Sequence, residues 1–182
     1  KYFVAKNPAF SPKIETLAEF FPDVRIIYLV RNPLDMLPST VSWINYARRQ
    51  FTDPGEGFFY LDEILEMTRH WYTYPLQYLD AHPSPRNLIL NYDDLIQRPE
   101  AVLRAFYEQF GYPDKPGLDV IVDEAVKETL SFNSDHVYSY KDIGFTREQI
   151  VKLYADIFER FGFDTREDEA ARVEVARIPA TD

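Results

Sequence analysis

The sequence predicts an α/β domain in which a parallel sheet is flanked by helices, and three observations predict it. The run Arg25-Ile26-Ile27-Tyr28-Leu29-Val30 is nearly continuous in apolar residues, as in a parallel strand covered on both faces. A short β-prone segment precedes it across a stretch of helical spacing, so strand, helix and strand make a βαβ unit. A third apolar run, Asn87-Leu88-Ile89-Leu90-Asn91-Tyr92, follows further helical segments.

The first element is Tyr2-Phe3-Val4-Ala5-Lys6, read as a buried strand stopped by Pro8, with Lys6 at its C-terminal end. From Pro12, the positions Ile14, Leu17, Ala18 and Phe21 keep a helical period until Pro22-Asp23 ends it. After the strand at 25–30, Asn32 offers an N-cap and Pro33 an N1 residue with a preset φ, so a helix starts behind Arg31 and runs to about Arg48. Pro38 lies inside that helix and predicts a kink next to Ser39. Residues 50–59, with Pro54, Gly55 and Gly57, read as a loop.

Helical spacing returns from Leu61 to about Leu79 through Ile64, Leu65, Thr68, Trp71, Tyr72 and Leu76, with a bend expected at Pro75. Behind the third strand, Pro99 opens a helix that buries Val102, Leu103, Phe106, Tyr107 and Phe110 and stops at Gly111. Another helix covers Val120 to Leu130. The last carries a Thr146/Gln149 capping-box pair and the apolar face Ile150, Leu153, Tyr154, Ile157, Phe158 and Phe161 before Gly162.

With 182 residues, 46% of them hydrophobic, the chain can bury one core; residues 1–163 form the α/β domain and 164–182 a charged tail. A net charge of −10 argues against a broad nucleic-acid surface, because such binding rests on neutralising phosphates. The absence of cysteine excludes disulfides, zinc-thiolate sites and thiol nucleophiles. His70, His82 and His136 are too scattered for a metal site, so no metal is expected. No run approaches the roughly 18 apolar residues of a membrane span, and with no signal peptide visible the expected location is cytoplasmic. The chain opens at Lys1 inside the first strand, which reads as part of a longer polypeptide. The sequence sets no oligomeric state.

Parallel α/β sheets bind ligands beyond the C-terminal ends of their strands, where helix N-termini point N–H groups at anions. Lys6, Arg31 and Tyr92 fall there, and Ser39 adds a hydroxyl eight residues after Arg31, about two helical turns on. That combination can grip a phosphate from two sides. Each residue has a plainer role open to it: Arg31 can pair with Asp35, Ser39 can bond back to a helix carbonyl, Lys6 can be a solvated charge and Tyr92 can be core packing. The aromatics Phe51, Phe58, Phe59, Trp71, Tyr72 and Tyr74 fit either a core under the loop or an apolar acceptor pocket.

The segment from Arg25 to Pro33, with Ser39, resembles the 3′-phosphate-binding motif of the sulfotransferases that use 3′-phosphoadenosine 5′-phosphosulfate. Asn91-Tyr92-Asp93-Asp94-Leu95, followed by Pro99-Glu100 and a helix ending in Phe110-Gly111, is similar to that family's Tyr-Glu-Asp-Leu segment, whose tyrosine lies near the adenine. Lys6 falls where cytosolic members have Lys-Thr-His. The resemblance implies a three-layer, P-loop NTPase-like architecture, truncated at its N-terminus and without the glycine- and serine-rich 5′-phosphosulfate loop. It departs at Lys6-Asn7-Pro8, which lacks the histidine that serves as base in cytosolic members. It departs again at residues 136–144, where Tyr138 or Lys141 replaces a late Arg-Lys-Gly nucleotide contact.

The implied activity is transfer of a sulfuryl group to a hydroxyl or amine of a small-molecule acceptor, with the phosphosulfate as co-substrate and no metal. Arg31 would hold the 3′-phosphate through a planar fork that lysine matches less well. Ser39 would add a neutral bond, Lys6 would act as electrophile at the transferring group, and Tyr92 would contact the base. Two other functions fit the same architecture: a nucleotide or small-molecule kinase, and a non-catalytic truncated family member acting as a binding domain.

Overall fold

Two parallel strands, β1 (Ile26–Val30) and β2 (Asn87–Asn91), run side by side in register from Ile26 opposite Asn87 to Val30 opposite Asn91. Around them the chain forms a mostly helical α/β fold, described by a computed structural model over residues 3–52, 60–113, 116–131 and 139–165. The helices, in chain order, are α1 (Ile14–Phe20), α2 (Pro33–Arg49), α3 (Leu61–Ala81), α4 (Tyr92–Gln97), α5 (Pro99–Gln109), α6 (Leu118–Ser131), α7 (Arg147–Leu153) and α8 (Ala155–Phe161). A 3-10 turn, Pro8–Lys13, leads into α1. Most of the loop at 50–59, together with Tyr138, His136 and the tail from 166 onward, lies outside the described residues.

The first expected strand is not one. Residues 3–7 are irregular and exposed, because no described strand lies beside them to accept their hydrogen bonds, and Asn7 already caps the 3-10 turn by accepting the Ala9 N–H. Lys6 therefore stands in an exposed segment and not at a sheet edge.

The expected burial of β1 on both faces holds for one face only. Val30 is fully buried and Tyr28 packs on the core, whereas Ile27 and Leu29 are 43% and 41% exposed. Among the described residues the sheet thus has one covered face, so the described part is not three-layered.

The core sits on the covered side. Leu34, Leu37 and Val41 line one stripe of α2, Ile64, Tyr72 and Leu76 one stripe of α3, and Ile150, Tyr154, Ile157 and Phe158 close over both from α7 and α8. The Pro33 start and Asn32 cap of α2 are as expected, and α2 runs unbroken through the buried Pro38. The Thr146/Gln149 capping box is also present. The continuous last helix is not: Tyr154 leaves helical geometry at φ −116°, ψ 28°, and turns its ring inward, where its hydroxyl lies 2.7 Å from that of Thr68. Tyr154 is the largest fully buried side chain described. In α5 only Pro99 is buried; Phe106, Tyr107, Phe110 and Tyr112 form their own aromatic cluster at its end.

Candidate functional site

Both strands end in the same device. Asn32 follows β1 by two residues and accepts the Leu34 N–H at 2.9 Å, opening α2; Asn91 ends β2 and accepts the Asp93 N–H at 2.9 Å, opening α4. The register, Val30 against Asn91, brings Arg31 and Tyr92 to adjacent positions just past the sheet. The Arg31 guanidinium lies over the Tyr92 ring, 5.2 Å from its centre. Two of the residues expected at the site are therefore in contact.

Arg31 is exposed and stands at the N-terminal, electropositive end of the 17-residue α2. Arg31, Asp35 and Asp94 all act on the carboxyl of Asp93. Burial pushes the Asp93 carboxyl above its ordinary range, Asp35 and Asp94 add to the effect, and Arg31 opposes it. Arg31 thus supplies the positive charge that opposes these acids, and it is exposed to solvent.

Ser39 is half-buried on α2, roughly 12 Å along the axis from Arg31 at the ordinary helical rise. Its hydroxyl makes no hydrogen bond among the described residues. Lys6 lies in the exposed segment ahead of the 3-10 turn. Lys141 is exposed in the turn before α7, between the core residues Tyr140 and Ile143. Tyr138 lies outside the described residues.

Two features escape a reading of the sequence. Tyr72 lies in the apolar stripe of α3 and reads as core, yet its hydroxyl donates to the Arg31 carbonyl at 2.5 Å. No pattern in a linear sequence marks a bond to a main-chain oxygen 41 residues away. The second feature is a groove of about 420 Å³ formed by Trp43, Ile44, Ala47, Arg48, Phe51 and Thr52. Trp43 and Phe51 are 60% and 88% exposed there. A signal existed for Trp43, because it falls off the stripe Leu34, Leu37, Val41 that buries α2. Of the aromatics expected in a pocket or core, Tyr72 is core and Phe51 is in the groove. Phe58 and Phe59 are outside the described residues. His70 and His82 each stack on a tyrosine, Tyr74 and Tyr78. Among the described residues, no three His, Asp or Glu side chains gather as a metal requires.

Comparison with known proteins points to one family. The profile of the sulfotransferase family matches residues 1–116. The omega-hydroxy-beta-dihydromenaquinone-9 sulfotransferases Stf3 of Mycobacterium bovis and Mycobacterium tuberculosis are each 28% identical over 190 aligned residues, covering 97% of this chain and 45% of theirs. The chain thus spans about half the length of the curated relatives it matches. The crystal structure of sulfotransferase STF9 from Mycobacterium avium shares the fold, with a TM-score of 0.73 and 20% identity over 87% of this chain and 41% of that one.

Proposed function

The chain belongs to the sulfotransferase family, and on that premise we propose that its Arg31 end holds the 3′-phosphate of 3′-phosphoadenosine 5′-phosphosulfate for sulfuryl transfer to an acceptor hydroxyl. The observation that carries this reading is the exposed Arg31 guanidinium, stacked on Tyr92 at the head of α2. A phosphate there meets a full positive charge at the electropositive end of α2 and, two turns on, the Ser39 hydroxyl. Tyr92 keeps the guanidinium from folding away and offers its ring edge to the adenine. The fold class that goes with this reading is the three-layer, P-loop-like one, with the described helices supplying one layer.

In the transfer, a bond forms between the acceptor oxygen and sulfur while the bond from sulfur to the 5′-phosphate oxygen breaks, and the hydroxyl proton leaves to a base. The chain's own part is to hold the 3′-phosphate, and with it the whole donor, in line for that exchange. This needs binding at a point remote from sulfur, which is what an arginine at the helix head supplies.

The test of donor binding is a calorimetric titration with adenosine 3′,5′-bisphosphate, adenosine 5′-monophosphate and ATP. The bisphosphate is expected to bind at least about 10-fold more tightly than the monophosphate, the equivalent of about 1.4 kcal/mol for the 3′-phosphate. Equal affinities would remove Arg31 from the donor site, and preference for ATP would turn the reading toward a kinase.

The acceptor is an apolar molecule bearing a hydroxyl. Trp43 and Ala47 follow Ser39 at i+4 and i+8 on one face of α2, so the exposed groove begins one turn beyond the donor residues. The hydroxylated menaquinone in the name of the Stf3 relatives is of the same chemical class. Trp43→Ala is expected to raise KM for a hydroxylated apolar acceptor by about 5- to 20-fold, in line with the loss of one large apolar contact, while the bisphosphate Kd stays the same. A parallel rise in both constants would place Trp43 in the scaffold instead.

A further inference from the structure

We propose that Tyr72 is a positioning residue for Arg31, and that its hydroxyl gives the site its selectivity for a 3′-phosphate. The inference rests on the reading of Arg31 as the phosphate ligand and goes beyond it, to a residue that touches no ligand.

The backbone at the end of β1 sets the problem. The strand ladder ends at Val30 opposite Asn91, and the first bonds of α2 are accepted by Asn32, whose carbonyl takes the N–H groups of Asp35 and Met36. The Arg31 carbonyl belongs to neither ladder nor helix. Its partner is the Tyr72 hydroxyl at 2.5 Å, delivered from the middle of α3. Fixing that oxygen fixes the plane of the peptide between Arg31 and Asn32. Two consequences follow: the Asn32 cap is aimed at Leu34, and the bond from the Arg31 main chain to its side chain is aimed toward Tyr92.

Tyr72 is itself held. Its ring meets Tyr154 edge-on, with centroids 5.5 Å apart, and Tyr154 is pinned by Thr68. Burial raises the Tyr72 phenol well above its ordinary range, so the group stays protonated and donates at every working pH. A buried tyrosine of this kind has one rotamer and one partner, unlike a long flexible side chain.

A second tyrosine supplies the control. Tyr28 on β1 donates to the Trp71 carbonyl on α3 at 2.7 Å, one residue before Tyr72. The two bonds join β1 and the residue just past it to the same helix, in opposite directions. Only that of Tyr72 ends on Arg31. If Tyr72 acted merely by tying β1 to α3, losing either hydroxyl would have the same effect on binding.

The experiment compares Tyr72→Phe, Tyr28→Phe, Arg31→Ala and the Tyr72→Phe/Arg31→Ala double variant, each titrated with adenosine 3′,5′-bisphosphate and with adenosine 5′-monophosphate. Tyr72→Phe is expected to weaken the bisphosphate about 3- to 10-fold, on the scale of one hydrogen bond, and to leave the monophosphate unchanged. Tyr28→Phe should leave both within about 2-fold. In the double variant, the loss of the Tyr72 hydroxyl should add nothing to that of Arg31. Equal weakening of both nucleotides by Tyr72→Phe, an effect of the same size from Tyr28→Phe, or no effect of Tyr72→Phe would each overturn the inference while leaving Arg31 as the ligand. An Arg31→Ala variant with unchanged affinity would instead overturn the donor-site reading itself.

Discussion

Arg31→Ala weakens adenosine 3′,5′-bisphosphate binding by roughly 100-fold, the loss of about 3 kcal/mol expected when a charge-assisted, two-pronged contact to phosphate is removed. The surroundings make the effect larger than a single contact implies. Arg31 and Asp35 act on Asp93 with opposite sign, so removing the guanidinium leaves these carboxylates uncompensated by its charge beside the phosphate. The same change releases the hold of Arg31 on Asp93, whose carboxyl then titrates still higher. Arg31→Lys restores the charge without the fork and recovers only part of the affinity. The wild-type advantage over Arg31→Ala also shrinks as ionic strength rises, because the site is exposed and screening reaches it. Calorimetry at two salt concentrations checks all three statements, and a loss below about 3-fold would mean that the phosphate is held elsewhere.

The parts of this site that could be read from the sequence are those encoded within one turn of chain. Asn32-Pro33 announces a helix start, and with an apolar strand just before it Arg31 falls at a strand end whatever the rest of the fold does. The segment Asn91-Tyr92 carries the same message. Their contact was not readable from either alone, since it depends on a register that pairs residues 61 positions apart. The strand expected to end at Lys6 is missing for a related reason. A β-prone pentapeptide becomes a strand only where a neighbour accepts its bonds, and no described strand does. Local pattern likewise could not see that Tyr154 interrupts its helix and meets a hydroxyl on α3.

Tyr154→Ala is expected to cost about 4 kcal/mol of folding stability, as for other large aromatic truncations in a closed core, and this places the C-terminal helices in the same cooperative unit as the donor site. Tyr154 is 0% exposed, its ring supports Tyr72 and its hydroxyl meets Thr68. It also lies beyond residue 116, where the family match ends. Two bidentate ion pairs, Arg69 with Asp156 and Arg160 with Asp80, join α3 to α8 around it, but exposed pairs of this kind contribute under about 1 kcal/mol each. The buried tyrosine therefore dominates the junction. Tyr154→Phe separates ring from hydroxyl: Thr68 keeps its bond to the Ile64 carbonyl at 2.8 Å, so the cost is about 1 kcal/mol, and Tyr72 keeps its support. Urea denaturation should rank wild type, Tyr154→Phe and Tyr154→Ala in that order, with bisphosphate affinity retained in the phenylalanine variant. A Tyr154→Ala chain that unfolds within about 1 kcal/mol of wild type would show α7 and α8 to be a separate unit, and the path from Thr68 through Tyr154 and Tyr72 to Arg31 would then end at Tyr72.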